Sequence, residues 1–171
     1  NDMRVDDHAN QFFRTTNTIE RNRIWLNVTG ADGLFSQAMI GYITNATNEI
    51  DATDGKYIND GAVALTSLVN ETAYAIQGRS LPFDASDVVP MQFKATTSGT
   101  YSIAIDHVDG LFTGSQDIYL RDAQTGVDYD LKSGAYSFTT EAGTFANRFS
   151  VVYTAALSID NPTLDANAIV I

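Results

Sequence analysis

The sequence contains no cysteine, so the chain can form no disulfide, bind no metal through a thiolate and use no thiol nucleophile. It is also poor in positive charge, with 10 Lys and Arg residues against 21 Asp and Glu residues. None of the cations falls in a basic run of the kind that binds a phosphate backbone. The formal net charge of −11 therefore predicts no nucleic-acid partner and no anionic-membrane partner, and its simplest role is to keep the protein soluble.

Long apolar runs are missing as well. No stretch approaches the ~20 residues that cross a bilayer as a helix. The first residues, Asn1 to Arg4, lack the charged and apolar regions of a signal peptide. The sequence ends on Ala168-Ile169-Val170-Ile171, which resembles the start of a further strand. We expect that a signal was removed or that the sequence is a fragment of a longer polypeptide.

Apolar residues nevertheless make up 44% of the chain, which is enough for one packed core in 171 residues. Short runs with β-type alternation follow one another, separated by Gly, Asn or Asp. The runs are 24–29, 36–44, 73–78, 88–96, 100–106, 117–122, 126–131, 135–140 and 148–154, and Ala62–Val69 favours a strand more weakly. This spacing predicts an all-β fold, an antiparallel, jelly-roll-like β-sandwich of roughly nine strands.

Two finer expectations concern connectivity and boundaries. Thr97-Ser98-Gly99 predicts a short hairpin between the runs at 88–96 and 100–106. Composition divides the chain into an N-terminal arm or linker (1–22), the β-sandwich domain (23–154) and an exit linker with the start of another strand (155–171). The arm carries Gln11-Phe12-Phe13-Arg14, which fits a short edge strand.

Signatures of catalysis that can be recognised by spacing are absent from the sequence, and we interpret the chain as non-catalytic. The carboxylate pairs Asp106 with Asp109 and Asp84 with Asp87 have the residue types of a glycosidase. Ordinary loop polarity explains both pairs equally well. His107 follows a predicted strand and has no partner that the sequence identifies.

The segment 51–61 gathers oxygen-bearing side chains around glycine, as a hard cation requires. Asp51, Asp54, Asn59 and Asp60 are the candidate Ca²⁺ ligands. The spacing matches no EF-hand, and Lys56 in its middle opposes a cation. An ordinary Asx-rich connection is the simpler interpretation, with calcium as the alternative.

Scarce cations and aromatic residues supply the remaining candidates. Arg79 and Arg148 each lie beside apolar sequence in an acidic chain, and we predict that each holds a carboxylate bidentately at the rim of the core. Trp25, Tyr42 and Tyr57 are candidates for an aromatic glycan platform, although strand aromatics are usually packing residues.

Several motifs, taken in order, suggest a family. They are Arg23-Ile24-Trp25-Leu26-Asn27, Ile40-Gly41-Tyr42, Asn45-Ala46-Thr47-Asn48, Ala75-Ile76-Gln77-Gly78-Arg79-Ser80-Leu81-Pro82-Phe83, Asp87-Val88-Val89-Pro90, Ala142-Gly143-Thr144-Phe145, Arg148-Phe149 and Val152-Tyr153-Thr154. This series resembles the C-terminal domain associated with the type C sorting signal in type IX-secreted surface proteins of Bacteroidota. The similarity runs from about Arg23 to Thr154. It departs from the family at Tyr129, where a histidine is expected, and at Ala155-Ala156-Leu157.

The resemblance implies an extracellular or cell-surface protein in which this module lies between effector domains and the sorting strands. The implied partner is the outer-membrane secretion machinery, which would act through the downstream segment. One alternative is an adhesin or carbohydrate-binding module that contacts a glycan or cell-surface polymer. A second alternative is a subunit of an extracellular filament that self-associates by strand exchange, since the two ends of the chain both have strand-like sequence.

Overall fold

The computed structural model describes residues 18–57 and 61–155, and the regular secondary structure of this part of the chain consists mainly of strands. The strands are β1 (Arg21–Thr29), β2 (Phe35–Ile43), β3 (Gly55–Lys56), β4 (Val63–Val69), β5 (Thr72–Arg79), β6 (Val88–Ala95), β7 (Gly99–Val108), β8 (Tyr119–Asp122), β9 (Val127–Asp130), β10 (Tyr136–Thr140) and β11 (Gly143–Val152). Three short 3-10 turns join them, at Ala31–Gly33, Gly110–Thr113 and Leu131–Ser133. The predicted all-β class is confirmed.

The strands form one mixed sheet that closes nearly into a barrel. Its order is β10-β7-β1-β2-β5-β4-β6-β11-β8-β9, with β3 added beside β5. The pairing is mixed rather than purely antiparallel, because β2 and β5 run parallel from Met39–Tyr42 to Ile76–Arg79. Parallel neighbours need a long connection, and here residues 44–71 supply it.

Strand β5 joins the two halves of the sheet. Its first residues pair with β4 through Ser67 and Tyr74, and its later residues pair with β2 through Met39 and Ile76. Strand β3 pairs with the same stretch, at Tyr74 and Ile76. A strand has only two edges, so β2 and β4 must share one edge of β5 while β3 occupies the other. The Ser36 hydroxyl accepts a bond from the Leu65 N–H at this junction between β2 and β4.

The predicted hairpin between the sixth and seventh strands is wrong. Both edges of β6 are taken by β4 and β11, and both edges of β7 are taken by β1 and β10. The link at 96–98 instead carries the chain across the core, where the Phe93 ring meets the Tyr101 ring at 5.3 Å. The short apolar runs predict where the strands lie but not which strands pair. A link that crosses the core, which we call an arch, has a sequence similar to that of a hairpin link.

Two groups of aromatic side chains fill the core. Phe93 is fully buried at the centre of one group, with Tyr101, Phe138, Phe145 and Phe149 around it. Edge-on contacts dominate, as the charge distribution of aromatic rings favours. The second group consists of Tyr42, Phe83, Phe112 and Tyr153.

The sheet stays open between β9 and β10, each of which pairs with one neighbour. The rings of Tyr129 and Tyr136 meet 5.2 Å apart between these strands. β1 begins at Arg21, two residues before the predicted start of the domain. The strand-like segments Gln11–Arg14 and Ala168–Ile171 lie outside the described residues, and self-association by strand exchange stays a prediction. In the described ranges, no helix is long and apolar enough to cross a membrane.

Candidate functional site

A polar cleft of about 540 Å³ lies where the loops that follow β2 and β5 meet the start of β6. We call it the loop cleft. Its lining residues are Tyr42, Asn48, Ser80, Leu81, Pro82, Asp84, Ser86, Asp87 and Val88. Several motifs that the sequence analysis singled out, far apart along the chain, therefore converge at one place.

The floor of the loop cleft is an ion pair between the buried Arg79 and the half-buried Asp87. Arg79 ends β5 and donates from Nε and Nη2 to the two carboxylate oxygens of Asp87, at 2.7 and 2.8 Å. Tyr42 donates its hydroxyl to Asp87 at 2.7 Å, and the hydroxyl of Tyr153 lies 3.0 Å behind it. The backbone N–H of Val88 adds another donor to Asp87. Such bidentate, charge-assisted contacts fix both loop and strand in orientation.

The protonation states of this floor follow from its surroundings. Burial raises the pKa of Tyr42 far above its usual value, and the neighbouring Tyr153 and Asp87 raise it further. Burial disfavours the charge of Arg79, but the bonds to Asp87 outweigh it and raise the pKa of the guanidinium overall. Tyr42 therefore remains a hydroxyl donor, and Arg79 remains a cation, at neutral pH. A group held in one protonation state is suited to structure rather than to proton transfer.

The rim of the loop cleft carries polar atoms that the protein does not use. The Asn48 Oδ1 accepts from the backbone N–H of Ser80 at 3.0 Å and from its hydroxyl at 3.2 Å. This fixes the amide orientation, because Nδ2 cannot accept a bond. Asp84 accepts from the Ser86 N–H and hydroxyl through Oδ1 alone, both at 2.8 Å. Within the described residues, Asn48 Nδ2 and Asp84 Oδ2 form no hydrogen bond.

Arg148, on β11, forms a second ion pair, and both of its side chains are buried. Its Nε and Nη2 donate to the two oxygens of Asp122 at 3.0 and 2.9 Å. The Tyr136 hydroxyl and the Gln124 N–H also donate to this carboxylate, whose side chain is 0% exposed. Burial raises the pKa of Asp122, but the Arg148, Tyr136 and Gln124 contacts outweigh it, and the net shift is downward.

The three glycan-platform candidates do not lie together. Tyr42 is 2% exposed and its hydroxyl is bonded in the floor of the loop cleft. Trp25 lies on the outer face of β1, stacked on His107 at 4.0 Å with the Arg23 guanidinium 4.8 Å from its ring. Tyr57 is half-buried and lines another depression, beside Phe35 and Lys56. These residues share no common surface.

The Asp51 loop is held by hydrogen bonds to its carboxylates. Asp51 accepts from the N–H and hydroxyl of Thr53 through one oxygen and from the N–H and hydroxyl of Thr47 through the other. Asp54 accepts from the Asp51 N–H and from the Gly78 N–H on β5. A side chain at Gly78 would collide with Thr53, so the loop packs directly on the strand backbone.

Asp51 and Asp54 are two of the four candidate Ca²⁺ ligands, and both accept hydrogen bonds within the loop or from β5. Asn59 and Asp60 lie outside the described residues, so calcium binding stays a prediction. In the ranges that the structure describes, no group of three or more His, Cys, Asp or Glu side chains is arranged to hold a metal ion. The Asp51 oxygens already have four donors, which a bound cation would have to displace.

Asp51→Asn is expected to lower the free energy of unfolding by about 1–2 kcal/mol, because one of its acceptor oxygens becomes a donor facing the Thr donors. The bonds from Thr53 and then Thr47 also hold the Asp51 pKa well below its usual value. The stability that the lowered Asp51 pKa contributes is present when the pH is above the pKa of the unfolded state. It is lost as the pH falls through the pKa of the folded state. The decrease in melting temperature caused by Asp51→Asn should be the same in EDTA as in CaCl₂. A melting temperature that falls in EDTA only for the wild type would instead support a calcium loop.

Asp106 and Asp109, one of the two carboxylate pairs considered from the sequence, also accept bonds from within the protein. Asp109 accepts from the Arg23 backbone N–H and guanidinium. Asp106 contacts the His107 ring and accepts from Asn27. Sequence reasoning named the two buried arginines but not their partners Asp87 and Asp122, which no spacing rule connects to them.

Comparison with known proteins gives one match. No curated protein and no solved structure matches the chain. A family model described as a domain of unknown function, DUF8693, matches residues 1–153, which include all eleven strands and both buried arginine pairs. The chain therefore belongs to the DUF8693 family.

Proposed function

We propose that this domain is a non-catalytic extracellular module, associated with type IX secretion and cell-surface display of a larger protein. The proposal rests on the resemblance of its ordered motifs to the domain that accompanies type C sorting signals. The position of those motifs in the fold is the observation that supports it best. Several of the residues that carry the resemblance join strands and loops of the fold.

Tyr42, Asn48, Arg79, Asp87 and Tyr153 come from five different motifs and meet around the loop cleft. Hydrogen bonds join Tyr42, Arg79, Asp87 and Tyr153 to one another and join Asn48 to Ser80. Three of the five, Tyr42, Arg79 and Tyr153, are at most 7% exposed. A series of short motifs that converges in this way marks a shared architecture rather than a shared reaction. This supports assigning the domain to a structural class of module.

The charge pairs support a structural role in the same way. Arg79 with Asp87 and Arg148 with Asp122 are bidentate pairs, and every oxygen of the two carboxylates accepts a bond from within the protein. A general acid or base needs an oxygen that can reach substrate. These carboxylates are engaged in positioning strands and loops.

Secretion is tested by fusing a fluorescent reporter to the domain together with its native downstream segment in a type IX-competent bacterium. We expect the reporter to reach the cell surface and to become accessible to an added protease. The matched control carries the domain alone, which should leave the reporter in the periplasm. Retention of the complete fusion in the periplasm, with the domain folded, would contradict the proposal.

A further inference from the structure

We propose that the loop cleft is a binding site for a neutral carbohydrate, contacted chiefly by the Asn48 amide and the Asp84 carboxylate. This function goes beyond secretion and display and does not depend on them. It rests on polar atoms of the rim and not on an aromatic platform of Trp25, Tyr42 and Tyr57, because the fold separates these three and only Tyr42 lines the cleft. The volume of about 540 Å³ lies within the range of small-molecule sites.

The unused atoms of the rim match the chemistry of a sugar. Asn48 Nδ2 can only donate and Asp84 Oδ2 can only accept, while the Ser80 and Ser86 hydroxyls donate to Asn48 and Asp84 and keep lone pairs free. A sugar hydroxyl both donates and accepts, so a polyhydroxyl ligand matches both kinds of atom in the cleft. The exposed Pro82 ring and the half-buried Leu81 supply an apolar contact for its C–H groups.

The rim atoms are fixed before any ligand arrives. The amide plane of Asn48 is set by two bonds to Ser80, and the carboxylate of Asp84 is set by two bonds to Ser86. The backbone N–H of Asp87 bonds to the Asp84 carbonyl at 3.0 Å, which joins this turn to the buried Arg79–Asp87 floor. Preorganised polar groups lose little entropy when they bind.

The charges around the loop cleft favour a neutral ligand over an anion or a metal cation. The lining carries Asp84 and Asp87, and only Arg79 beneath it is positive, so an anionic ligand is repelled. A metal cation would find a single unused carboxylate oxygen, because Asp87 is saturated by Arg79, Tyr42 and Val88. Hard cations need six or more oxygen ligands. A neutral sugar fits the remaining atoms best.

The test is a titration of the isotopically labelled domain with methyl glycosides of glucose, galactose, mannose and N-acetylglucosamine, followed by backbone amide shifts. We expect saturable shifts at Asn48, Ser80, Asp84 and Ser86 for at least one glycoside, with a Kd of about 1 mM, typical of a few hydrogen bonds to a solvent-exposed ligand. Absence of saturable shifts at these amides for every glycoside overturns the proposal, as does a site elsewhere.

Two conservative variants test the atoms themselves. Asn48→Asp keeps an oxygen for Ser80 and removes the donor, and Asp84→Asn keeps an oxygen for Ser86 and replaces the free acceptor. Each should weaken the binding glycoside about tenfold. Glu141→Gln is the matched control, because it removes one negative charge from an exposed side chain outside the cleft lining. Unchanged affinity in both cleft variants, or an equal loss in Glu141→Gln, contradicts the assignment.

Discussion

Arg148→Met is expected to lower the free energy of unfolding by about 3–5 kcal/mol at neutral pH, because it leaves the Asp122 carboxylate buried without its counter-charge. The Asp122 side chain is 0% exposed and that of Arg148 is 5% exposed. The guanidinium also packs 4.9 Å from the ring centres of Phe138 and Phe149. Methionine restores part of that packing but none of the charge. Urea unfolding followed by circular dichroism measures the loss.

The pH dependence of this variant should have the opposite sign to that of the wild type. In the wild type the Asp122 pKa is lowered, so its contribution is present above the unfolded-state value and is lost as the pH falls through the folded value. Without Arg148, burial dominates and raises the folded pKa above the unfolded one. Acidification then protonates Asp122 in the folded state and recovers part of the lost stability. Unfolding curves at several pH values distinguish the two behaviours.

Arg121→Met is the matched control. Arg121 donates to both oxygens of Asp128 at 2.8 and 2.9 Å, the same bidentate geometry as the buried pair. Its side chain is 37% exposed, so water screens the interaction. We expect a loss of about 1 kcal/mol or less. Equal losses in the two variants, or a pH profile of Arg148→Met that follows the wild type, would show that burial does not set the strength of these pairs.

Phe93→Ala should lower the free energy of unfolding by about 3–5 kcal/mol, since it opens a cavity in the centre of the core. Phe93 is 0% exposed and touches rings from β7, β10 and β11. Its removal therefore loosens both halves of the sheet at once. Thermal and urea unfolding give the magnitude, and near-ultraviolet circular dichroism should report the loss of aromatic packing.

Phe35→Ala removes the same ring from a strand but from a side chain that is 55% exposed. The expected change is within about 0.5 kcal/mol. The comparison separates the cost of the cavity from the loss of β propensity that both substitutions share. A small effect at Phe93, similar to that at Phe35, would mean that the aromatic group around Phe93 does not form the core.

Local periodicity was enough to predict most of the strands. The runs at 24–29, 36–44, 73–78 and 88–96 coincide with β1, β2, β5 and β6 to within three residues. These runs alternate apolar and polar side chains between turn residues, a pattern set by neighbours in sequence. Strand β3 has two residues and no pattern of its own, because it exists only through its pairing with β5.

Partners distant in sequence could not be predicted in the same way. The parallel pairing of β2 with β5, the arch between β6 and β7, and the joining of Asn48 to Ser80 depend on the global path of the chain. Within the part of the chain that the structure describes, Asn48 Nδ2 and Asp84 Oδ2 could be identified as unbonded only once the hydrogen bonds of Oδ1 in each side chain were known. A single sequence contains no direct signal for these contacts.

The position of β11 between two other strands affects when the domain can finish folding during synthesis. β11 is inserted between β6 and β8, although residues 143–152 are synthesised after both. A polypeptide that emerges N-terminus first must therefore hold the edges of β6 and β8 unpaired for seconds at ordinary rates of synthesis. Until Val152 is synthesised, the chain stays incompletely folded, and the unpaired edges of β6 and β8 are open to proteases and to pairing with other chains.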